Sequence, residues 1–288
     1  MNVWQISISR RSLTIAAVLV ATVSLGLGAH AALNKRALDA AKAIASEQGE
    51  AAIARGSKIA LVIGNGHYPD ANAPLAQPIN DARALTAALR NSGFDVDVVE
   101  DASKDDMRRA VARLQSKVKP DTVVILYFGG YGVQAGRESY MIPVDAKIWK
   151  EADVRRDGVS VESVLDAIQE KGARARLVVV DASRRNPYER RFRTYSHGLA
   201  PITASDNALI LTSATPGKVA DDSRGQHSVL MTELLTQLNP QLAGIESAFH
   251  KTRIAISRAT DGEQVPSVSS SLLEDVSFSI AASAKAGS

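Results

Sequence analysis

The chain of 288 residues contains no cysteine. That absence removes disulfide bonds and every form of thiol chemistry. It also lacks a strong net charge. The formal +3 rests on 34 basic against 31 acidic side chains, and two of the basic ones, Arg10 and Arg11, stand in an N-terminal leader-like segment. The remainder of the chain is close to neutral, which is no footprint for general nucleic-acid binding. Gly64-x-Gly66 is too short for a dinucleotide fingerprint, and no Gly-rich Lys-Ser/Thr loop for nucleotide phosphates is present. His197, His227 and His250 have no metal-ligand spacing and read as surface or packing residues. There is no internal repeat and no obvious second domain. With 45% hydrophobic and 23% charged residues, wholesale disorder is excluded too.

The N-terminus stands apart. Arg10 and Arg11 precede an uncharged apolar run, Leu13 to Gly28, followed by Ala29-His30-Ala31-Ala32. A basic region, an apolar run and an Ala-x-Ala site make a secretory signal over residues 1–31, cut after Ala31. The run is shorter than the ~20 residues of a spanning helix; the alternative to cleavage is that, extended to Leu33, it serves as an uncleaved membrane anchor. Ser9-Arg10-Arg11 matches a twin-arginine signal in part. Every route places the rest of the chain outside the cytoplasm, in the periplasm or beyond. Residues 32–57 form an Ala-rich spacer, 58–280 the globular domain and 281–288 a tail.

Within the domain, hydrophobic patterning alternates between two periods. Ile59 to Gly64, Thr122 to Phe128, Leu177 to Val180 and Ala208 to Thr212 are short apolar runs that suit buried strands. Phe94, Val96 and Val98 alternate with Asp95 and Asp97, as in a strand near a sheet edge. Between them lie helical faces. Pro78 opens one with Ile79, Ala82, Leu85 and Leu89. Ser103 and Asp106 form a capping box before Met107, Val111, Leu114 and Val118. Ser160 starts another with Val161, Val164, Leu165 and Ile168. Leu230, Leu234 and Leu238 line a fourth, and Ile245, Ala248, Phe249 and Thr252 a fifth. This alternation implies an α/β fold, a mostly parallel sheet covered on both faces.

In such sheets, chemistry collects outside the carboxyl ends of the strands. Three strand-end segments should meet there: Gly64-Asn65-Gly66-His67, Gly129 to Gly132, and Asp181-Ala182-Ser183. Tyr127-Phe128-Gly129-Gly130-Tyr131-Gly132-Val133-Gln134 and Asp181-Ala182-Ser183-Arg184-Arg185-Asn186-Pro187 resemble the two catalytic segments of caspase-like cysteine peptidases, the group that includes bacterial metacaspases and paracaspases. The resemblance runs from Lys58 to Phe278. It includes Ile63-Gly64-Asn65 with Tyr68, Asn80-Asp81-Ala82, Tyr140 to Ala146, Ala214-Thr215-Pro216-Gly217 with Ala220 and Asp222, Gln264-Val265-Pro266 and Ser270-Ser271-Leu272. It implies a three-layer caspase-like sandwich. The family carries His and Cys where this chain has Tyr131 and Ser183. Ser223 and His227 also depart from the usual Gly and Asn.

The resemblance further implies that the backbone N–H groups of Gly132 and Ser183 form an oxyanion hole. Carboxylates at the positions of Asp181 and Asp222 select Arg or Lys in metacaspase-like relatives, by charge-assisted hydrogen bonds. The alternative for Asp181 is a turn cap or a pair with a neighbouring Arg. A Ser hydroxyl needs an adjacent general base. Tyr131 is a poor one, since lowering a phenol from ~10 to about 7 takes roughly 4 kcal/mol. His67 borders the same crevice and is the replacement base to test. Arg184, Arg185, Arg190, Arg191 and Arg193 read as a solvated basic loop, or as a surface for an acidic partner or anionic lipid. Trp149 and Tyr188 are expected to pack on the sheet flank or loop.

The reading is therefore a pseudopeptidase that binds peptide or protein segments, basic ones by preference, with no cofactor and no metal. A membrane tether through the N-terminus, a homodimer and pairing with an active relative are its further expectations. Its rivals are a serine hydrolase using Ser183 with His67 or Tyr131, and a structural domain whose crevice is filled by its own side chains.

Overall fold

A computed structural model describes residues 57–69, 74–184, 187–188, 198–220, 225–238, 244–274 and 276. All belong to one compact unit, Gly56–Ser288. The leader, the spacer up to residue 56, the tail, Asp222, and Arg185 with the arginines at 190, 191 and 193 lie outside the described residues.

The strands are β1 (Lys58–Gly64), β2 (Asp95–Glu100), β3 (Val123–Gly129), β4 (Gly132–Ala135), β5 (Glu138–Met141), β6 (Val159–Ser160), β7 (Ala175–Asp181), β8 (Ala208–Thr212) and β9 (Ser267–Ser270). Six helices accompany them among the described residues: α1 (Gln77–Asn91), α2 (Lys104–Lys117), α3 (Glu151–Asp157), α4 (Val161–Glu170), α5 (Val229–Gln237) and α6 (Ile245–Ala259). The main sheet has the order β2-β1-β3-β7-β8-β9. Its first five strands are parallel and β9 is antiparallel to β8. All seven residues of β3 and all seven of β7 are buried, which explains their unbroken apolar runs. At the sheet edge, β2 is only partly covered: Val96 is buried, Asp97, Val98 and Val99 are half-buried, and Asp95 and Glu100 are exposed.

Two apolar layers cover the sheet. On one face Ala82, Leu85 and Leu89 of α1 pack with Leu230 and Leu234 of α5 and Phe249 of α6. On the other, Met107 and Leu114 of α2 join Val164 and Ile168 of α4. The expected caps are present. Ser103 and Asp106 close a reciprocal box at α2, and Ser160 and Ser228 accept from the third backbone N–H of α4 and α5. Two features go beyond the sequence reading. Gly132 to Ser160 contribute a second small sheet, β4-β5-β6, and the short helix α3. Four-residue strands and a seven-residue helix are too short to leave a clear period. This small sheet carries its own cluster of Tyr68, Tyr131, Val133, Tyr140, Ile142 and Tyr188.

Register places the site. Gly64 stands opposite Gly129, and Gly129 opposite Asp181. The ends of β1, β3 and β7 therefore finish at one level, side by side.

Candidate functional site

The three strand-end segments meet as expected, and hydrogen bonds stitch them together. Asn65 N–H donates to Gly129 O at 2.9 Å, Gly130 N–H to Asp181 O at 3.3 Å, and Gly132 N–H to Ala182 O at 3.0 Å. Gly130 has φ +156°, and a Cβ there would stand 2.5 Å from the Tyr68 hydroxyl. Glycine is needed for that close approach.

Tyr131, at the first dyad position, is 9% exposed. Its ring meets Tyr68 edge-on at 4.7 Å, a geometry favoured by the aromatic quadrupoles. The Tyr68 hydroxyl accepts from Tyr131 N–H at 3.0 Å and donates to Ile142 O at 2.9 Å. Burial pushes that hydroxyl far above the ordinary phenol range. Tyr68 thus acts as a neutral bridge between two backbone segments. Asn65 adds a second link, accepting from Ala102 N–H at 2.8 Å and donating to Ile142 O at 3.2 Å.

Ser183, at the second position, is 1% exposed, and its Oγ has no hydrogen-bond partner among the described residues. None of those residues is placed within hydrogen-bond reach to take its proton. His67 does not do so. Its side chain is two-thirds exposed and its Nδ1 lies 2.5 Å from Asp101 Oδ2. Asp101, at φ +47° just after β2, also accepts from Gly66 N–H and His67 N–H at 2.9 Å.

The two N–H groups expected in an oxyanion hole are both engaged within the protein. Gly132 N–H serves Ala182 O, and Ser183 N–H donates to Ser213 Oγ at 3.2 Å. Leu199 covers Gly132 so closely that a Cβ on that glycine would lie 2.5 Å from its Cδ2.

Asp181 is 2% exposed. Its Oδ1 lies 3.7 Å from Arg184 Nη1, while its Oδ2 has no hydrogen-bond partner among the described residues. Arg184 Nη1 donates to the carbonyls of Gly130, at 3.0 Å, and Asp181. Arg184 is therefore not part of a solvated loop. At 4% exposure it is a buried tie between the ends of β3 and β7. Trp149, expected to pack, is 64% exposed instead, whereas Tyr188 is buried against the small sheet.

Asp81 is the residue that sequence reasoning overlooked. It lies on α1 fully buried, and it accepts from His227 Nδ1 at 2.8 Å and from Ser228 N–H at 3.2 Å. Burial raises its pKa and the nearby charge of Asp181 raises it further, against the hydrogen bonds from His227 and Ser228. Its signal was an acid within an apolar stripe, since the buried Pro78 and Leu85, three residues before and four after it, share its helix face. His227, expected to be a surface or packing group, is the partner of that acid. The Tyr127 hydroxyl is buried without a partner among the described residues, and burial together with the charges of Asp181 and Asp81 lifts it well above the phenol range. No group of three or more His, Asp or Glu among the described residues is arranged to hold a metal.

A model of the caspase domain matches residues 57–277. The chain is 31% identical over 133 residues to mucosa-associated lymphoid tissue lymphoma translocation protein 1 of Homo sapiens, covering 46% of this chain and 16% of that protein. It is 30% identical over 133 residues to the homolog of that protein in Mus musculus, with the same coverage. The chain thus spans about a sixth of the length of these relatives. With the family model matching well over half of its length and the parallel sheet bringing the expected strand ends together, the chain belongs to the caspase domain family.

Proposed function

We propose that this protein is a caspase-fold pseudopeptidase, exported from the cytoplasm, that acts by binding peptide or protein segments rather than by cleaving them. One observation carries the reading. The hydroxyl at the nucleophile position, Ser183 Oγ, is buried with no partner among the described residues to deprotonate it. Serine nucleophiles require such a base.

Basic side chains are the ligand class. Asp181 places a buried carboxylate at the end of β7 and Asp81 a second one on α1, and a guanidinium, that of Arg184, already rests beside Asp181. A ligand Arg or Lys would compete with Arg184 for Asp181. Because Asp181 is buried, binding there requires Arg184 to yield. Export rests on the leader-like sequence of residues 1–31, and sequencing the N-terminus of the mature protein tests it.

The central test is turnover of Arg- and Lys-containing peptide libraries by the full chain beside Ser183→Ala. Neither protein is expected to cleave. Cleavage that disappears in the variant would establish a serine hydrolase. Saturable binding of Arg peptides that Asp181→Ala weakens would support the basic-ligand reading; its absence would end it.

A further inference from the structure

Away from the strand ends, α6 differs from the other helices in how its cations are matched. Exposed cations of α1, α2 and α3 meet carboxylates: Arg83 meets Glu100 at 2.6 Å, Arg113 meets Asp97 at 2.8 Å, Lys117 meets Asp95 at 2.7 Å, and Arg155 meets Glu151 at 2.9 Å. α6 carries Lys251, Arg253 and Arg258 against a single acid, Glu246. All three cations are exposed, and none has an ion-pair partner among the described residues. In a chain that is otherwise close to neutral, this is a local excess of positive charge.

Helical spacing sorts the two faces of α6. Ile245, Ala248, Phe249, Thr252 and Ile256 are buried on the inner one. The outer face centres on Ile254, which is 50% exposed. His250 and Lys251 stand four and three residues before it and Arg258 four after it, so all three share its face. Arg253 borders that face. Among the described residues, the large apolar side chains left exposed are Trp149, Ile254 and Leu273, and of these Ile254 alone lies within a helix or strand. Helix propensity does not call for it, because a β-branched side chain is a weaker helix former than Ala, Leu or Lys. A lone apolar side chain on a surface needs no explanation. One set among unmatched cations has the layout of an interface, an apolar centre with a charged rim.

We propose that the outer face of α6 docks an acidic segment of another protein, with Ile254 as its apolar anchor and Lys251, Arg253 and Arg258 as its charged rim. Charge complementarity selects the occupant. The unmatched cations spread over about 10 Å of helix at 1.5 Å per residue, the scale of a short peptide segment. An anionic bilayer calls for a cluster of about four to eight cations, more than this face presents. The proposal is independent of the basic-ligand reading, which concerns the opposite charge at the strand ends.

The test uses the full chain and a fluorescein-labelled synthetic peptide that places Glu and Leu on one helical face, beside a second peptide with Lys for every Glu. Binding is followed by fluorescence anisotropy as sodium chloride is raised. The expected result is saturable binding of the Glu peptide and none of the Lys peptide, with affinity falling as salt screens the exposed charges. Lys251→Glu combined with Arg258→Glu should raise Kd at least about tenfold. Ile254→Ser should raise it about tenfold as well, with the salt dependence unchanged. Arg83→Glu combined with Lys117→Glu reverses as much charge at matched cations and should leave Kd within about twofold. An equal loss in that control pair, or an unchanged Kd in Ile254→Ser, overturns the proposal. So does the absence of saturable binding by the wild type. Binding to phosphatidylglycerol vesicles but not to the Glu peptide overturns it in favour of a lipid surface. Ile254→Ala supplies a second variant should Ile254→Ser fail to give the native circular dichroism spectrum.

Discussion

The two positions at which the resemblance places the family's reactive groups, Tyr131 and Ser183, are held by the fold in opposite ways. Tyr131 is built in. Its ring packs on Tyr68, its N–H is received by the Tyr68 hydroxyl, and its carbonyl accepts from Ile142 N–H at 3.0 Å. Ser183 is enclosed without being used. Its backbone bonds to Ser213 and Ala220, yet its hydroxyl has no partner among the described residues. The tyrosine is part of a core, and the serine is a small enclosed polar group. Stability should therefore depend strongly on one position and hardly at all on the other.

The sharpest way to break that comparison is Tyr131→Ala. Removing a buried aromatic ring should cost about 3–5 kcal/mol by urea unfolding of the full chain. A loss below 1 kcal/mol would show that the ring is not part of the core. Next comes Tyr68→Phe, which keeps the ring contact but strands the Tyr131 N–H and removes one donor from the Ile142 carbonyl. A buried group left unmade costs about 1–3 kcal/mol, so this variant should fall between Tyr131→Ala and a change at Ser183.

A pH series sharpens the contrast at the rim of the crevice. Burial works to raise the pKa of Asp101, but hydrogen bonds from the His67 and Gly66 backbone, with the His67 ring, hold it below the usual carboxylate range. A depressed carboxylate stabilises the fold above its unfolded pKa, and that contribution fades as pH falls through the folded one. Asp101→Asn should therefore be less stable than the wild type at neutral pH, with the gap closing below about pH 4. A gap that persists at pH 2.5 would mean the charge is not its source.

The smallest expected effect is Ser183→Ala. With no hydrogen bond to lose, the change should be neutral or slightly stabilising, within about 0.5 kcal/mol. A larger loss would reveal a partner for the hydroxyl in solution.

Much of the architecture was legible because it depends on local chemistry. Period-two and period-3.6 patterning, the Ser103–Asp106 box, Pro78 at a helix start and the apolar run into Gly129 each report on residues close in the chain. The short β4-β5-β6 sheet and α3 were missed because elements of a few residues carry no readable period. At the site, the sequence could place Tyr131, Ser183 and Asp181 at strand ends, since strands end where their apolar runs end. It could not say that Arg184 turns inward, because an arginine in a basic run looks solvated until a carboxylate and two carbonyls are brought to it.

What the sequence determined by itself was the fold class, the absence of a thiol and the presence of Tyr131 and Ser183 just after two apolar runs, all properties of composition and short-range order. Only the tertiary structure decided which polar groups have partners. His227 and Asp81 are 146 residues apart in the chain, yet their side-chain atoms stand 2.8 Å from one another. Tyr68 reaches Tyr131 across 63 residues. Ser183 sits enclosed at the end of β7, and its hydroxyl bonds to none of the described residues. Such pairings depend on strand order and on register between distant segments, and no local pattern of side chains encodes them.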